Sequence, residues 1–182
     1  MNIKSILLSA GIAMFAMTGV TTAADKAEDL NDLEIAHVAY TADNIDIKYA
    51  HLALALSDSP EIHQFAKTMI RDHTAVNEKA LALLQKLGAS PQDNFLSQSL
   101  TEQSKQIIAE MIVLEGDAFD RYYATNELKY HQAVNNLVEN AFLPNIENEE
   151  VKALFEQGLA IFKLHEAHAE NMVNTVNSVS MN

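Results

Sequence analysis

The hydrophobic rhythm of the chain changes near residue 25. Before that point apolar residues run almost unbroken from Ile6 to Val20. Beyond it they recur at steps of three and four, the period of one face of an α-helix. Ile35, Val38, Ala42, Ile45, Tyr49, Leu52 and Leu56 form such a stripe and predict a first helix from Leu33 to about Ser57. Ser57-Asp58-Ser59-Pro60 stops it and starts the next, because Ser59 suits an N-cap and Pro60 the first helical position, where a missing N–H is no loss. The second helix carries Ile62, Ala66, Met69, His73, Val76, Ala80, Leu83 and Leu87, and Gly88 follows as its C-terminal cap.

Ala89 to Gln98, with Ser90-Pro91 and Asp93-Asn94, reads as the longest connection, and Ser99 with Glu102 reads as a capping box opening a third helix. The pattern then runs to about Ala141, which would make a rod of ~65 Å against ~42 Å for the second helix. A kink or break is therefore expected at Gly116, with Asp117 to Ala141 as the inner part, ended by Pro144. Asn148 caps a fourth helix with Glu149 and Glu150 in its first turn and Val151, Leu154, Phe155, Gly158, Phe162, His165, Ala169 and Met172 on its buried face. The tail after Asn174 is expected to fray. The fold class is all-α: an up-down-up-down four-helix bundle, third helix kinked or broken near Gly116.

The unbroken run has a different meaning. Lys4 is the only charge before Asp25, the apolar stretch is about 15 residues where a membrane span needs ~20, and Thr21-Thr22-Ala23-Ala24 offers small residues for cleavage. The expected layout is a signal peptide over 1–24, a lead-in over 25–32, the helical domain over 33–176 and a tail over 177–182. A periplasmic or secreted protein follows, with no integral membrane insertion after cleavage. With no cysteine in the chain, disulfides, thiolate ligands and lipid attachment through an N-terminal cysteine are excluded. The formal charge of −13 disfavours nucleic acid and anionic lipid, which need a basic surface, while cations, protein partners or a second copy remain compatible.

Among seven histidines, His51 and His63 fall on polar faces and read as surface residues. His73, His131 and His165 lie on or beside apolar stripes of three different helices. A histidine there is most often a packed core residue bonded to a carboxylate, a tyrosine or a carbonyl. Three of them also fit a metal site. Counted from the helix turns, Asp46 lies about 12 residues down, His73 about 14 and His131 about 14, so helices one to three offer a donor at one height. Glu127, His165 and His37 form a layer ~6 to 10 Å lower. Glu127 with His131, and His165 with His168, stand four and three residues apart on one face and could share an ion or a hydrogen bond. Such imidazole and carboxylate donors suit Zn, Cu, Fe or Mn without choosing among them. Asp46, flanked by Ala39, Ala42, Ala50 and Ala53, equally fits a buried carboxylate paired with Arg71 or a histidine.

Several segments in order carry a resemblance: Pro60-Glu61-Ile62-His63-Gln64-Phe65-Ala66, Met69-Ile70-Arg71-Asp72-His73, Ala118-Phe119-Asp120-Arg121-Tyr122-Tyr123, His131, and Lys163-Leu164-His165-Glu166-Ala167-His168. From about Leu33 to Met172 the chain resembles the bacterial family catalogued as domain of unknown function 4142, exported bundles some of which are labelled outer membrane proteins. The resemblance implies a ferritin-like fold and no particular activity. It puts the family's Asp-His pair on Asp72 and His73, its Phe-Asp on Phe119 and Asp120, its later histidines on His131 and His165, and its first-helix acid, usually Glu, on the shorter Asp46. The di-iron pattern of ferritins needs Glu-x-x-His on two helices. Ile70 and Phe162 stand where those glutamates would be, and the only such motif is Glu34 to His37, so ferroxidase chemistry is disfavoured.

Three readings stand. The first is a non-catalytic envelope or stress-related bundle acting through protein contacts, with no cofactor. The alternative is a periplasmic protein that binds or buffers a transition metal through His73, His131, His165 and Asp46, with Asp72, Asp120, Glu127, His37 and His168 as orienters or further ligands. A metal-dependent oxidoreductase comes last, because the chain has no nucleophile elbow, phosphate loop or close pair of catalytic carboxylates.

Overall fold

The computed structural model describes residues 26–179. The leader expected over 1–24 and the last residues of the tail lie outside them. Within the described residues the protein is all-α and has no strand. A 3-10 turn, Ala27–Asp29, precedes α1 (Asp32–Leu56), α2 (Pro60–Lys86), α3 (Phe95–Met111), α4 (Gly116–Leu137) and α5 (Glu149–Val179), and a π turn, Val138–Phe142, continues α4. No described helix is long and apolar enough to cross a membrane.

Local chemistry sets most boundaries. Asn31 and Glu34 form a reciprocal capping box at the start of α1, so the Glu34 carboxylate is engaged with backbone. Ser59 accepts from the Ile62 N–H, and Pro60 opens α2 as expected. His63, expected on the surface, is half-buried and bonds through Nε2 to the Ser57 carbonyl at 2.6 Å, tying the α1–α2 turn; His51 is exposed. At the far end of α2, Gly88 takes φ 64° and its N–H and that of Ala89 return to the Gln85 and Leu84 carbonyls.

One boundary, the helix count and the helix directions differ from the sequence reading. The third helix begins at Phe95, not Ser99, because Asn94 and Ser97 form the capping box there, and the buried Asn94 amide also donates to the Glu34 and Gln92 carbonyls. Of the kink or break expected near Gly116, the structure has the break. α3 stops at Met111, and α4 restarts at Gly116 with φ 53°, a left-handed conformation that glycine adopts without steric cost. The expected four helices are thus five among the described residues. α1, α2, α4 and α5 run up, down, down and up instead of the expected up-down-up-down, because the α4–α5 turn lies where α1 begins and α2 ends, opposite the α1–α2 turn. α5 is helical as far as Val179.

α1 packs on α2, α4 on α5, α2 on α5 and α1 on α4, while α3 lies mainly against α1. The Asp32 carboxylate at the start of α1 accepts the Glu147 and Asn148 N–H groups, clasping the α4–α5 turn. Two apolar clusters fill the interior. One gathers Tyr49, Phe65, Met69, Phe119, Tyr123 and Met172; the other gathers Ile35, Val38, Val138, Phe142, Val151 and Leu159. On each long helix the buried ionisable residues fall at the border of these clusters: Asp43 and Asp46 beyond Val38, His73 beyond Met69, Glu127 and His131 between Ala124 and Val138, His165 between Leu159 and Ala169. The core is therefore two oily halves meeting at one polar layer.

A pair of glycine substitutions separates backbone strain from helix propensity. Gly116→Ala should destabilise by ~1–2 kcal/mol through its positive φ alone, because no atom crowds an added Cβ. Gly158→Ala, in regular helix and meeting only Phe162 Cε2 at 3.8 Å, should stabilise by about 0.5–1 kcal/mol. Urea denaturation of both variants reads the two signs.

Candidate metal centre

The polar layer draws on every long helix. α1 aims Asp43 and Asp46, one turn apart, toward α2. α2 brings His73 to meet them, α4 supplies Glu127 and His131 one turn apart, and α5 supplies His165. Asp46 and Glu127 are 0 % exposed and the three histidines no more than 4 %.

Each imidazole is tied on its outer side. His73 Nδ1–H donates to Asp43 Oδ1 at 2.7 Å, His131 Nδ1–H to the Glu127 carbonyl at 2.9 Å, and His165 Nε2–H to Asp72 Oδ2 at 3.0 Å. Asp72 is in turn gripped by the Arg71 guanidinium at 2.6 and 2.9 Å. The inner nitrogens, His73 Nε2, His131 Nε2 and His165 Nδ1, have no hydrogen-bond partner, nor does any carboxylate oxygen of Asp46 or Glu127. Asp46 Oδ2 stands 2.5 Å from His73 Nε2 and 3.8 Å from His131 Nε2. The first contact is short, yet its atoms are not aligned as a hydrogen bond. Donor atoms of His73, His131 and His165 lie within 4.8 Å of one another, as do those of Asp46, Glu127 and His131. These buried groups could hold a metal ion.

The two heights counted along the sequence therefore merge into one cluster. Of the other residues singled out there, Asp72 orients His165 from outside. His168 packs edge-on against Phe65 at 5.1 Å, and His37 sits 3.6 Å from Asp93 near the start of the fold. Asp120 is half-buried on α4 with an unpartnered Oδ1, outside both donor groups. Arg71 pairs with Asp72, so the basic partner of Asp46 is His73. Asp43 and Tyr123 are additions. Asp43 stands three residues before Asp46 on the same alanine-rich face, a spacing legible in the sequence. Tyr123 stands one turn before Glu127, and its buried hydroxyl also lacks a partner.

Burial and mutual charge shift every group. Burial alone would favour neutral forms, yet Asp46, together with the Asp43 hydrogen bond, holds the His73 imidazolium up to about 10. Asp46 is correspondingly pulled below the usual carboxylate range by His73 and His131 despite its burial. The ion pair is thus His73 with Asp46, for burial outweighs His73 at Asp43 and raises that carboxyl. Burial, then the Asp46 charge, pushes Glu127 well up, so it carries a proton beside Asp46. Burial lowers His131, and lowers His165 to about 4.

These shifts set a pH profile for the metal-free protein. His73, raised, contributes stability in full below the ordinary imidazole value of ~6.5 and loses it as pH climbs toward 10; His165, lowered, contributes above ~6.5 and loses its share as pH falls toward 4. Thermal melts of chelated protein should therefore peak near neutrality and fall on both sides. Glu127, raised, contributes only below its ordinary value and costs stability above it, because the unfolded chain gains by releasing its proton. Glu127→Gln, which keeps a donor for Asp46 and cannot ionise, should raise the metal-free melting temperature at about pH 7. A variant no more stable than the native chain would show that Glu127 is already ionised in the fold.

No curated protein and no solved structure matches this chain. A family model described as a domain of unknown function, DUF4142, matches residues 17–172. With nearly the whole chain covered, from the apolar run through the last histidine of the polar layer, the protein belongs to the DUF4142 family.

Proposed function

We propose that this chain is an exported bundle that holds one divalent transition-metal ion in its core. The observation that carries the reading is the orientation of the imidazoles: three histidines on three helices are each anchored by the outer nitrogen and turn the inner one into a layer that holds two fully buried carboxylates, where His73 Nε2 meets Asp46 as an ion pair and His131 Nε2 and His165 Nδ1 have no hydrogen-bond partner. Histidines that merely pack would find partners for both ring nitrogens. Bound metals instead select this division, the outer N–H fixing tautomer and ring orientation while the inner nitrogen ligates. In this reading His73, His131, His165 and Asp46 are ligands, Glu127 is a fifth donor beside them, and Asp43 and Asp72 orient the rings. Nitrogen and oxygen donors of this kind suit Zn2+, Fe2+, Mn2+ or Cu2+.

The closed position of the donors favours holding or buffering an ion over turning a substrate over. We read α1, α2, α4 and α5 as a ferritin-like bundle whose helices run up, down, down and up, with α3 as the added leg that carries the chain back before α4. The leader pattern over 1–24 supports delivery to the periplasm or beyond. A role through protein contacts draws support from one feature, the exposed Ile112 and Val113 at the α3–α4 corner, 55 % and 76 % accessible, and is compatible with a bound ion.

Chelator-treated full-length protein titrated with Zn2+ by calorimetry, and with Co2+ by visible absorption, should take up one ion per chain. His73→Ala with His131→Ala should abolish uptake, and Asp43→Asn, which removes only an orienting carboxylate, should weaken it by roughly 10–100-fold. Affinity should rise with pH between about 6 and 8, since His73 and Glu127 must release protons to admit the ion. No uptake, or uptake unchanged in the double variant, would leave the histidines as structural groups.

A further inference from the structure

Close packing leaves few voids larger than a water inside a native protein, yet the helices here part around a cavity of about 560 Å3, walled by side chains from all five. That is the size of a small-molecule site. It is separate from the donor cluster, because none of Asp46, His73, Glu127, His131 and His165 lines it. Its inner end is closed by Asp43, which is bonded to His73, and by Phe162, whose ring stacks on the His73 imidazole at 4.6 Å. The remaining wall is largely hydrocarbon, including Val76, Leu84, Leu100, Ile107, Leu137 and Phe155. An apolar space of this kind holds water poorly.

The polar groups of the wall are mostly spoken for. Tyr130 donates to the Ala42 carbonyl at 2.9 Å and Ser104 to the Thr101 carbonyl at 2.8 Å. Asn77 is a buried exception. It is 7 % exposed, it lines the cavity, and its Oδ1 has no partner. A buried amide oxygen left unpaired is costly, and a ligand hydroxyl meets the need in either amide orientation, since it can donate to Oδ1 or accept from Nδ2. Charge narrows the class further. The wall carries the Asp43 carboxyl, its one cation, Lys26, is exposed and matched by Glu28, and the chain as a whole bears −13.

We propose that this cavity binds an uncharged lipophile bearing one hydroxyl, with its hydrocarbon along the apolar wall and its hydroxyl on Asn77. Binding requires no metal, so this proposal stands apart from the metal reading. The test titrates full-length protein, chelated and Zn2+-treated in parallel, with the neutral fluorescent lipophile N-phenyl-1-naphthylamine, and then displaces it with 1-decanol or with decanoate. The fluorophore should bind in both preparations, and decanol should displace it at least tenfold more effectively than decanoate. Asn77→Leu, folded by circular dichroism, should weaken decanol at least fivefold while leaving a saturable hydrophobic site, and Ala80→Trp, which fills the wall, should remove fluorophore binding. Absence of fluorophore binding to the native chain, equal displacement by decanoate, or decanol affinity unchanged in Asn77→Leu would each overturn the proposal. Loss of zinc uptake with lipophile binding intact would fail the metal reading alone.

Discussion

Two carboxylates with no solvent contact, Asp46 and Glu127, set the terms for the rest of this protein. An isolated buried charge is among the most costly things a fold can contain, and a protein answers by pairing it, protonating it or giving it a metal. The metal-free chain uses the first two answers. Asp46 is paired with the His73 cation, and Glu127 keeps its proton beside Asp46. Neither answer is complete, since His131 Nε2 and His165 Nδ1 remain without a hydrogen-bond partner. A divalent ion would draw on several of these buried donors at once, and the surrounding architecture is consistent with that demand: one apolar cluster lies on each side, and a ring of outer hydrogen bonds fixes the imidazoles in place.

The outer bonds differ in character. Asp43 is itself buried, so the orientation of His73 is set within the core. Asp72 is half-exposed and shared with the exposed Arg71, so His165 is anchored to the surface of the fold. The α2–α5 seam beside Asp72 is thus the point where the polar layer comes nearest to solvent. A large apolar cavity next to the same layer, separated from it by Phe162 and Asp43, gives the core a second unusual feature. Packing quality and polar satisfaction are both relaxed in one region, while the remaining core follows ordinary helix-bundle rules.

Much of this was legible in the residues. Three- and four-residue periodicity located the helices, Ser59-Pro60 and Asn148 marked two of their starts, and Gly116 marked the break, because those signals are local. The start of α3 differs because Ser99 with Glu102 is the commoner capping spelling, whereas the chain uses Asn94 with Ser97 five residues earlier. The convergence of His165 with His131 was invisible to a count of heights. Side chains lean toward the N-terminus of their own helix. α5 starts at the turn where α4 and its π turn end, so His165 leans toward that turn and His131 away from it, closing a gap that residue counting left open. Asp43 was overlooked although its spacing to Asp46 was plain, since nothing local distinguishes a buried aspartate from a solvated one. The orphaned ring nitrogens are a tertiary fact, available only once all four helices are placed.

The chain has no cysteine, and so no covalent link between its helices. The polar layer takes at least one donor from each long helix, from Asp46 near the beginning of the fold to His165 near its end. An ion held there would join segments roughly 120 residues apart, closing a loop comparable to those that disulfides close in exported proteins. No long helix could then leave the core without first breaking a coordinate bond, so unfolding would wait on metal release. Persistence against proteases would then be governed by the rate at which an ion escapes, and not by the free energy of the hydrophobic core.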